Sequence, residues 1–180
     1  YAHRKPKSKG FLLGLTYKQI LTKFIPPMEE MWNMLGLVEH KSRQQPGHYV
    51  IGTRPPDYFD KPWQPPRSYE NVITFFNGRT IELLSFDRKN GSIGGSYDDA
   101  MFDEAVLIDK QRHDKELMPM IRGNIYKYPN EPLQHQRCYI SSQSWLPAGM
   151  WVPDMGIVAQ QYPDVFYMER SEEHTSELQS

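Results

Sequence analysis

Short apolar segments alternate with amphipathic ones along the chain, and this pattern predicts strands that alternate with helices. Residues 10–16 (GFLLGLT) form an apolar run bounded by glycine, which is typical of a buried strand. Thr16 is placed to cap a following helix, whose apolar residues recur at helical spacing. We expect the Pro26-Pro27 pair to end that helix and a second helix to run over residues 28–34.

The middle of the chain predicts a β-hairpin. Asn77-Gly78-Arg79 lies between the apolar runs 71–76 and 80–86, which is a strong hairpin signal. Five prolines within residues 54–68 predict a loop, and a second loop is expected after residue 142. Further strands are expected over residues 48–53, 100–102, 137–142 and 165–168, and a short helix over residues 115–121. The strand over residues 137–142 is expected to be buried. The pattern as a whole predicts an α/β domain with a mostly parallel sheet and an inserted β-hairpin.

Composition narrows the class of protein. A chain of 180 residues has room for one ordinary domain. With 21 Lys and Arg against 22 Asp and Glu, its net charge of -1 excludes a globally basic nucleic-acid binder, although a local basic patch stays possible. The single cysteine, Cys138, excludes an internal disulfide framework and is expected to be a small buried side chain. The histidines show no zinc-ligand spacing, so we assign no transition metal.

The last eleven residues, 170–180 (RSEEHTSELQS), resemble one translation frame of a widely used short-read sequencing adapter. We therefore leave them out of the fold and expect a non-native, disordered tail after a domain of residues 1–169. The chain starts at Tyr1 rather than at Met. We accordingly expect an internal fragment of a longer protein.

Asp103 and Glu104, which follow a short apolar strand, are the main candidates for chemistry. In α/β folds, ligands bind at the carboxyl ends of the strands. There, Asp103 could help to hold Mg²⁺ beside nucleotide phosphates, and Glu104 could orient or deprotonate an attacking water, as in a Walker B motif. The alternative is a strand that ends in a solvated acidic turn. Asp98 and Asp99 also make this strand less apolar than a strong Walker B motif.

Three blocks resemble the ATPase domain of the large subunit of tailed-phage terminases. They are GFLLGLTYKQI (10–20), SIGGSYDDAMFDEA (92–105) and CYISSQSWLPAGMW (138–151), in the family's order. The resemblance implies a partial P-loop NTPase (RecA/ASCE-like) domain in which Asp103 binds Mg²⁺ and Glu104 is catalytic. It also implies a coupling motif that senses the γ-phosphate of ATP, at Ser141, Ser142 and Gln143.

The same resemblance implies an ATPase that packages viral double-stranded DNA into procapsids in the host cytoplasm. The implied partners are double-stranded DNA, the portal protein and the small terminase subunit, and the full-length protein is expected to form a homo-oligomeric ring. No G-x-x-x-x-G-K-[ST] motif occurs in the 180 residues. We therefore expect this fragment to be inactive alone, with the P-loop before Tyr1 and a nuclease domain after residue 169.

Two alternatives stay open. A helicase-like P-loop ATPase would share the same blocks and carry a second RecA-like domain downstream. A non-catalytic phage or bacterial binding module would have no P-loop upstream and would use its Trp- and Tyr-rich loops as a contact surface. The basic run 4–9 and the loop residues Trp63, Arg67 and Tyr69 could contact nucleic acid. A solvated linker and a packed loop are the simpler explanations for them.

Overall fold

A six-stranded sheet forms the centre of the computed structural model, which describes residues 5–87, 95–142 and 147–159. The strands are β1 (Lys9–Gly14), β2 (Tyr49–Ile51), β3 (Val72–Phe75), β4 (Thr80–Ser85), β5 (Asp99–Asp103) and β6 (Arg137–Ile140). Their order is β2-β3-β4-β1-β5-β6. The pairs β4–β1, β1–β5 and β5–β6 are parallel, whereas β2–β3 and β3–β4 are antiparallel. The expected α/β class, with a mostly parallel sheet and a hairpin, is confirmed.

Helical segments connect the strands. The α-helices are α1 (Tyr17–Gln19), α2 (Ile25–Met34), α3 (Lys110–Arg112) and α4 (Trp151–Ala159). Wider π-helical turns span Ile20–Phe24 and His113–Leu117, and 3₁₀ turns span Ala105–Leu107, Met118–Met120 and Pro147–Gly149. Among the described residues, every helix is too short or too polar to cross a bilayer.

Strand β1 is buried on both faces of the sheet. Phe11 and Leu13 pack into one apolar cluster together with Trp151 of α4, while Leu12 packs into the other cluster with Trp32 of α2. Successive side chains of a strand point to opposite faces, so a strand between two helical layers must be apolar at nearly every position. This explains the uninterrupted apolar run over residues 10–13.

The prediction that Pro26 and Pro27 end the first helix is wrong. The π-helical turn Ile20–Phe24 leads directly into α2, and Ile25 N–H donates to the carbonyl of Ile20. The two prolines then occupy the first positions of α2, where a missing backbone N–H is tolerated. The helical layer over this face of the sheet is consequently continuous from residue 17 to residue 34.

Three further predictions near the carboxyl end of the chain need correction. The helical segment predicted over residues 115–121 begins earlier, at Lys110, because the Asp109 side chain accepts a hydrogen bond from Arg112 N–H (2.8 Å) and caps it. Strand β6 is not buried: it lies at the edge of the sheet, and Arg137 and Ile140 are exposed. Part of the loop expected after residue 142 is helix α4, which accommodates a proline in its first turn.

The hairpin signal at Asn77-Gly78 is confirmed. Gly78 has a φ of 77°, a left-handed conformation that glycine adopts without strain. The strand expected over residues 165–168, the tail 170–180 and Gln143 lie outside the described residues.

Candidate functional site

The carboxyl ends of four parallel strands meet at one edge of the sheet, and Asp103 lies there. In the register of β1 with β5, Leu13 is opposite Phe102, which places Gly14 beside Asp103. In the register of β5 with β6, Asp103 is opposite Ile140, so Ser141 and Ser142 follow immediately. Asp103, Glu104, Ser141 and Ser142 are thus brought to the same edge.

Asp103 and Glu104 form a pair of carboxylates at the end of β5. Partial burial and the negative charge of Glu104 raise the pKa of Asp103 above its ordinary value, against the opposing effect of a hydrogen bond from Glu104 N–H. Glu104 has a φ of 51° and a ψ of 45°, a left-handed conformation that non-glycine residues adopt at a cost of about 1–3 kcal/mol. The chain therefore turns sharply directly after the strand.

A hydrogen bond joins the segments that follow β5 and β6. Val106 N–H donates to Ser141 Oγ at 3.2 Å. Val106 belongs to the 3₁₀ turn that begins directly after Glu104, and Ser141 is the first residue after β6. The bond therefore connects the turn beyond Glu104 to the segment that follows β6.

Gly14 and Thr16 shape the neighbouring end of β1. A Cβ at Gly14 would lie 2.6 Å from Ile20 Cγ1 and 3.9 Å from Asp103 Oδ2. Glycine therefore lets the first helical turn pack closely over the end of the strand beside Asp103. Thr16 Oγ1 accepts a hydrogen bond from Gln19 N–H at 3.1 Å, so the predicted helix cap is confirmed.

Below this edge, a buried histidine ties β6 to the helical layer. His113 shares a hydrogen bond with Tyr139 Oη at its Nε2 (2.8 Å) and with Asp114 at its Nδ1 (2.7 Å). The Tyr139 ring stacks on Phe102, the residue before Asp103, with 4.8 Å between ring centroids and 8° between ring planes. Burial lowers the pKa of His113, although Asp114 opposes this shift. These contacts hold the ends of β5 and β6 in a fixed relation.

The two carboxylates are suited to a shared cation. Neither Asp103 nor Glu104 forms an ion pair with a basic side chain within the described residues. Mg²⁺ is commonly held by one or two carboxylates together with substrate phosphates, rather than by a cage made of protein alone. The described ranges contain no group of three or more His, Cys, Asp or Glu that could hold a metal ion.

A buried charge cluster that was not predicted from the sequence lies at the opposite end of the parallel strands, where they begin. Arg79 donates two hydrogen bonds to Asp99, from Nη2 to Oδ1 (2.7 Å) and from Nη1 to Oδ2 (3.1 Å). Lys5 Nζ contacts Asp99 Oδ2 and donates to the carbonyl of Leu133 (2.9 Å). Burial alone would raise the pKa of Asp99, but the two cations outweigh it and hold that pKa below its ordinary value. The signal in the sequence was the Asp98-Asp99 pair ahead of an apolar strand.

Asp98 is also fully paired, although it looks like a defect in the strand pattern. It accepts hydrogen bonds from the backbone N–H of Lys9 (2.7 Å) and from the side chains of Asn124 (2.9 Å) and Gln134 (3.1 Å). Asp98 and Asp99 thus anchor the start of β5 and are separated from Asp103 by the length of the strand.

The basic run before β1 is not a solvated linker over the residues that the structure describes. Lys5 is buried in the charge cluster, and Lys9 Nζ pairs with Glu82 at 2.9 Å. Cys138 is half-buried rather than fully buried, and its burial raises the thiol pKa.

Among solved structures, the chain is similar to the large terminase ATPase domain of Thermus phage P74-26. The TM-score is 0.43 and the sequence identity is 17%, with 82% of this chain and 53% of that chain covered. The chain therefore spans about half the length of that domain. No protein-family model matches the chain, and no curated protein matches it by sequence.

Proposed function

We propose that this chain is part of the ATP-hydrolysing motor subunit that packages viral double-stranded DNA into procapsids. The observation that carries the proposal is the hydrogen bond from Val106 N–H to Ser141 Oγ (3.2 Å), because it links the Asp103-Glu104 turn to the segment after the adjacent parallel strand. The alternative, a strand that ends in a solvated acidic turn, does not require a hydrogen bond to the neighbouring strand. The choice of terminase large subunits as the family rests on the three sequence blocks that resemble them.

In this proposal, Asp103 holds Mg²⁺ and Glu104 orients or deprotonates the attacking water. Two adjacent carboxylates without a basic partner among the described residues support the metal role, since a cation would relieve their repulsion. Mg²⁺, when bound, would neutralise charge on the ATP phosphates. The left-handed turn at Glu104 supports its role, because strained residues cluster at active sites.

Ser141, Ser142 and Gln143 would couple hydrolysis to movement. A change at Glu104 on loss of the γ-phosphate would move the 3₁₀ turn, and the bond from Val106 would transmit that movement to Ser141. The remaining parts of the proposal follow from the resemblance alone. They are the portal protein and the small subunit as partners, a ring of subunits, and the host cytoplasm as the location.

The test begins with the gene. The codons upstream of Tyr1 should encode a Gly-rich loop that ends in Gly-Lys-Ser/Thr, and the protein that includes them should hydrolyse Mg·ATP. Glu104→Gln should lower kcat at least about 100-fold and retain ATP binding, since a general base contributes about 10²–10⁴-fold. Glu116→Gln, which alters a partly exposed carboxylate on another segment, is the control and should hydrolyse ATP like the parent.

Three results would contradict the proposal. An upstream region that lacks a P-loop would make Asp103-Glu104 an acidic strand end and favour a binding module. An extended protein whose Glu104→Gln variant retains full kcat would exclude Glu104 as the catalytic base. A second RecA-like domain downstream, in place of a nuclease domain, would indicate a helicase-like ATPase instead.

A further inference from the structure

An exposed tryptophan at the edge of the sheet opposite Asp103 holds two lysine side chains over its ring. The Trp63 ring centroid lies 4.0 Å from Lys127 Nζ and 5.3 Å from Lys7 Nζ. Trp63 keeps 50% of its surface exposed. We call these three residues the Trp63 platform.

The two ammonium groups of the Trp63 platform are not neutralised. Lys5 and Lys9, which flank Lys7 in the sequence, pair with Asp99 and Glu82. In contrast, neither Lys7 nor Lys127 forms an ion pair with an acidic side chain in the described part of the chain.

The backbone also holds Lys7 in an unusual conformation. Lys7 has a φ of 63°, and its N–H donates to the carbonyl of Asn77 at 3.0 Å. A Cβ at Gly78 would lie 3.0 Å from Lys7 Cγ and 3.1 Å from the carbonyl oxygen of Lys61, so glycine permits this close approach. The hairpin turn at Gly78 thus packs against Lys7, which is half-buried, whereas Lys127 is exposed.

We propose that the Trp63 platform binds the sugar-phosphate backbone of duplex nucleic acid. Lysine ammonium groups without carboxylate partners bind phosphates as point charges. Both distances are measured to the same ring centroid, so the two lysine nitrogens are no farther apart than the sum of those distances. This separation corresponds to a few nucleotides of one DNA strand, which rises about 3.4 Å per nucleotide.

Duplex is favoured over single strands because the ring itself is occupied. A base needs a free aromatic face on which to stack. The ammonium groups of Lys127 and Lys7, 4.0 Å and 5.3 Å from the ring centroid, compete with a base for the Trp63 ring. The Trp63 platform would therefore recognise the charge of the phosphates and not the base sequence. This binding does not depend on the ATPase function proposed above.

The test measures binding of a fluorescein-labelled 20-base-pair duplex to the 180-residue chain by anisotropy, over a series of salt concentrations. Lys7→Gln/Lys127→Gln should reduce the slope of log K against log salt by about 2, since each lost phosphate contact removes about one unit. Lys18→Gln/Lys23→Gln removes the same charge from exposed positions on the helical segment after β1 and should leave the slope unchanged. Lys127→Gln alone, at an exposed position, should reduce it by about 1 even if the double variant fails to fold.

Three results would overturn the proposal. The first is an unchanged slope in the folded Lys7→Gln/Lys127→Gln variant or in Lys127→Gln. The second is the absence of duplex binding by the parent chain at 50 mM salt. The third is displacement of the duplex by poly-glutamate at equal charge concentration, which would indicate an acidic protein surface as the partner. Displacement by unlabelled duplex of unrelated sequence, but not by poly-glutamate, would support it.

Discussion

The buried charge cluster around Asp99 provides the most demanding test of the fold. Asp99→Asn preserves the shape of the side chain but removes the negative charge that Arg79 and Lys5 contact at the start of β5. All three side chains are almost completely buried. Removing one partner from a buried ion pair typically costs about 3–5 kcal/mol, because the remaining charge has lost its compensation. A domain of ordinary stability has only about 5–15 kcal/mol in total.

Urea denaturation, followed by the fluorescence of the buried Trp32 and Trp151, measures this cost. With an m-value of about 2 kcal/mol/M, Asp99→Asn should lower the midpoint by about 1.5–2.5 M. Glu116→Gln is the control, because the Arg112–Glu116 pair is partly exposed and should contribute no more than about 1 kcal/mol. The reasoning is refuted if Asp99→Asn unfolds within about 1 kcal/mol of the parent.

Three smaller predictions follow from the same structure. The pKa of Asp99 is depressed in the folded state, so the stability that its charge contributes should be complete above its unfolded pKa of about 3.9 and should be lost as the pH falls through the folded pKa. The difference in urea midpoint between the parent and Asp99→Asn should therefore shrink over the same pH range. Gly14→Ala would place a Cβ 2.6 Å from Ile20 Cγ1, so the melting temperature should fall; an unchanged value would mean that the first helical turn can move away freely. Thr16→Ala should cost about 1 kcal/mol in urea denaturation, whereas Thr16→Ser should restore the cap on Gln19 N–H.

Features whose cause is local could be predicted from the sequence. The hairpin follows from Asn77-Gly78, since that turn needs residues that tolerate positive φ. The Thr16 cap follows from one hydroxyl next to an apolar helical pattern. The continuous apolar run of β1 likewise indicated a strand covered on both faces.

Features whose cause lies far along the chain could not be predicted. The partners of Asp99 are Lys5 and Arg79, and no local pattern indicates that these residues meet. The prolines at 26 and 27 looked like a helix end because the π-helical turn that precedes them has no sequence signature. For the candidate site, the resemblance assigned roles to both Asp103 and Ser141, whereas the hydrogen bond through Val106 depends on the path of the 3₁₀ turn.

The central position of β1 has a consequence for synthesis of the chain. Its ladder partners are β4, which begins at Thr80, and β5, which begins at Asp99, so β1 leaves the ribosome well before either of these partners has been synthesised. At about 5–20 residues per second, the wait for Thr80 is roughly 4–14 s. During that time a strongly apolar segment is accessible to self-association. Pairing β1 with β4 or β5 requires the closure of a long loop, and the entropy lost in that closure slows folding. A chaperone that covers apolar segments would therefore be expected to bind the nascent chain.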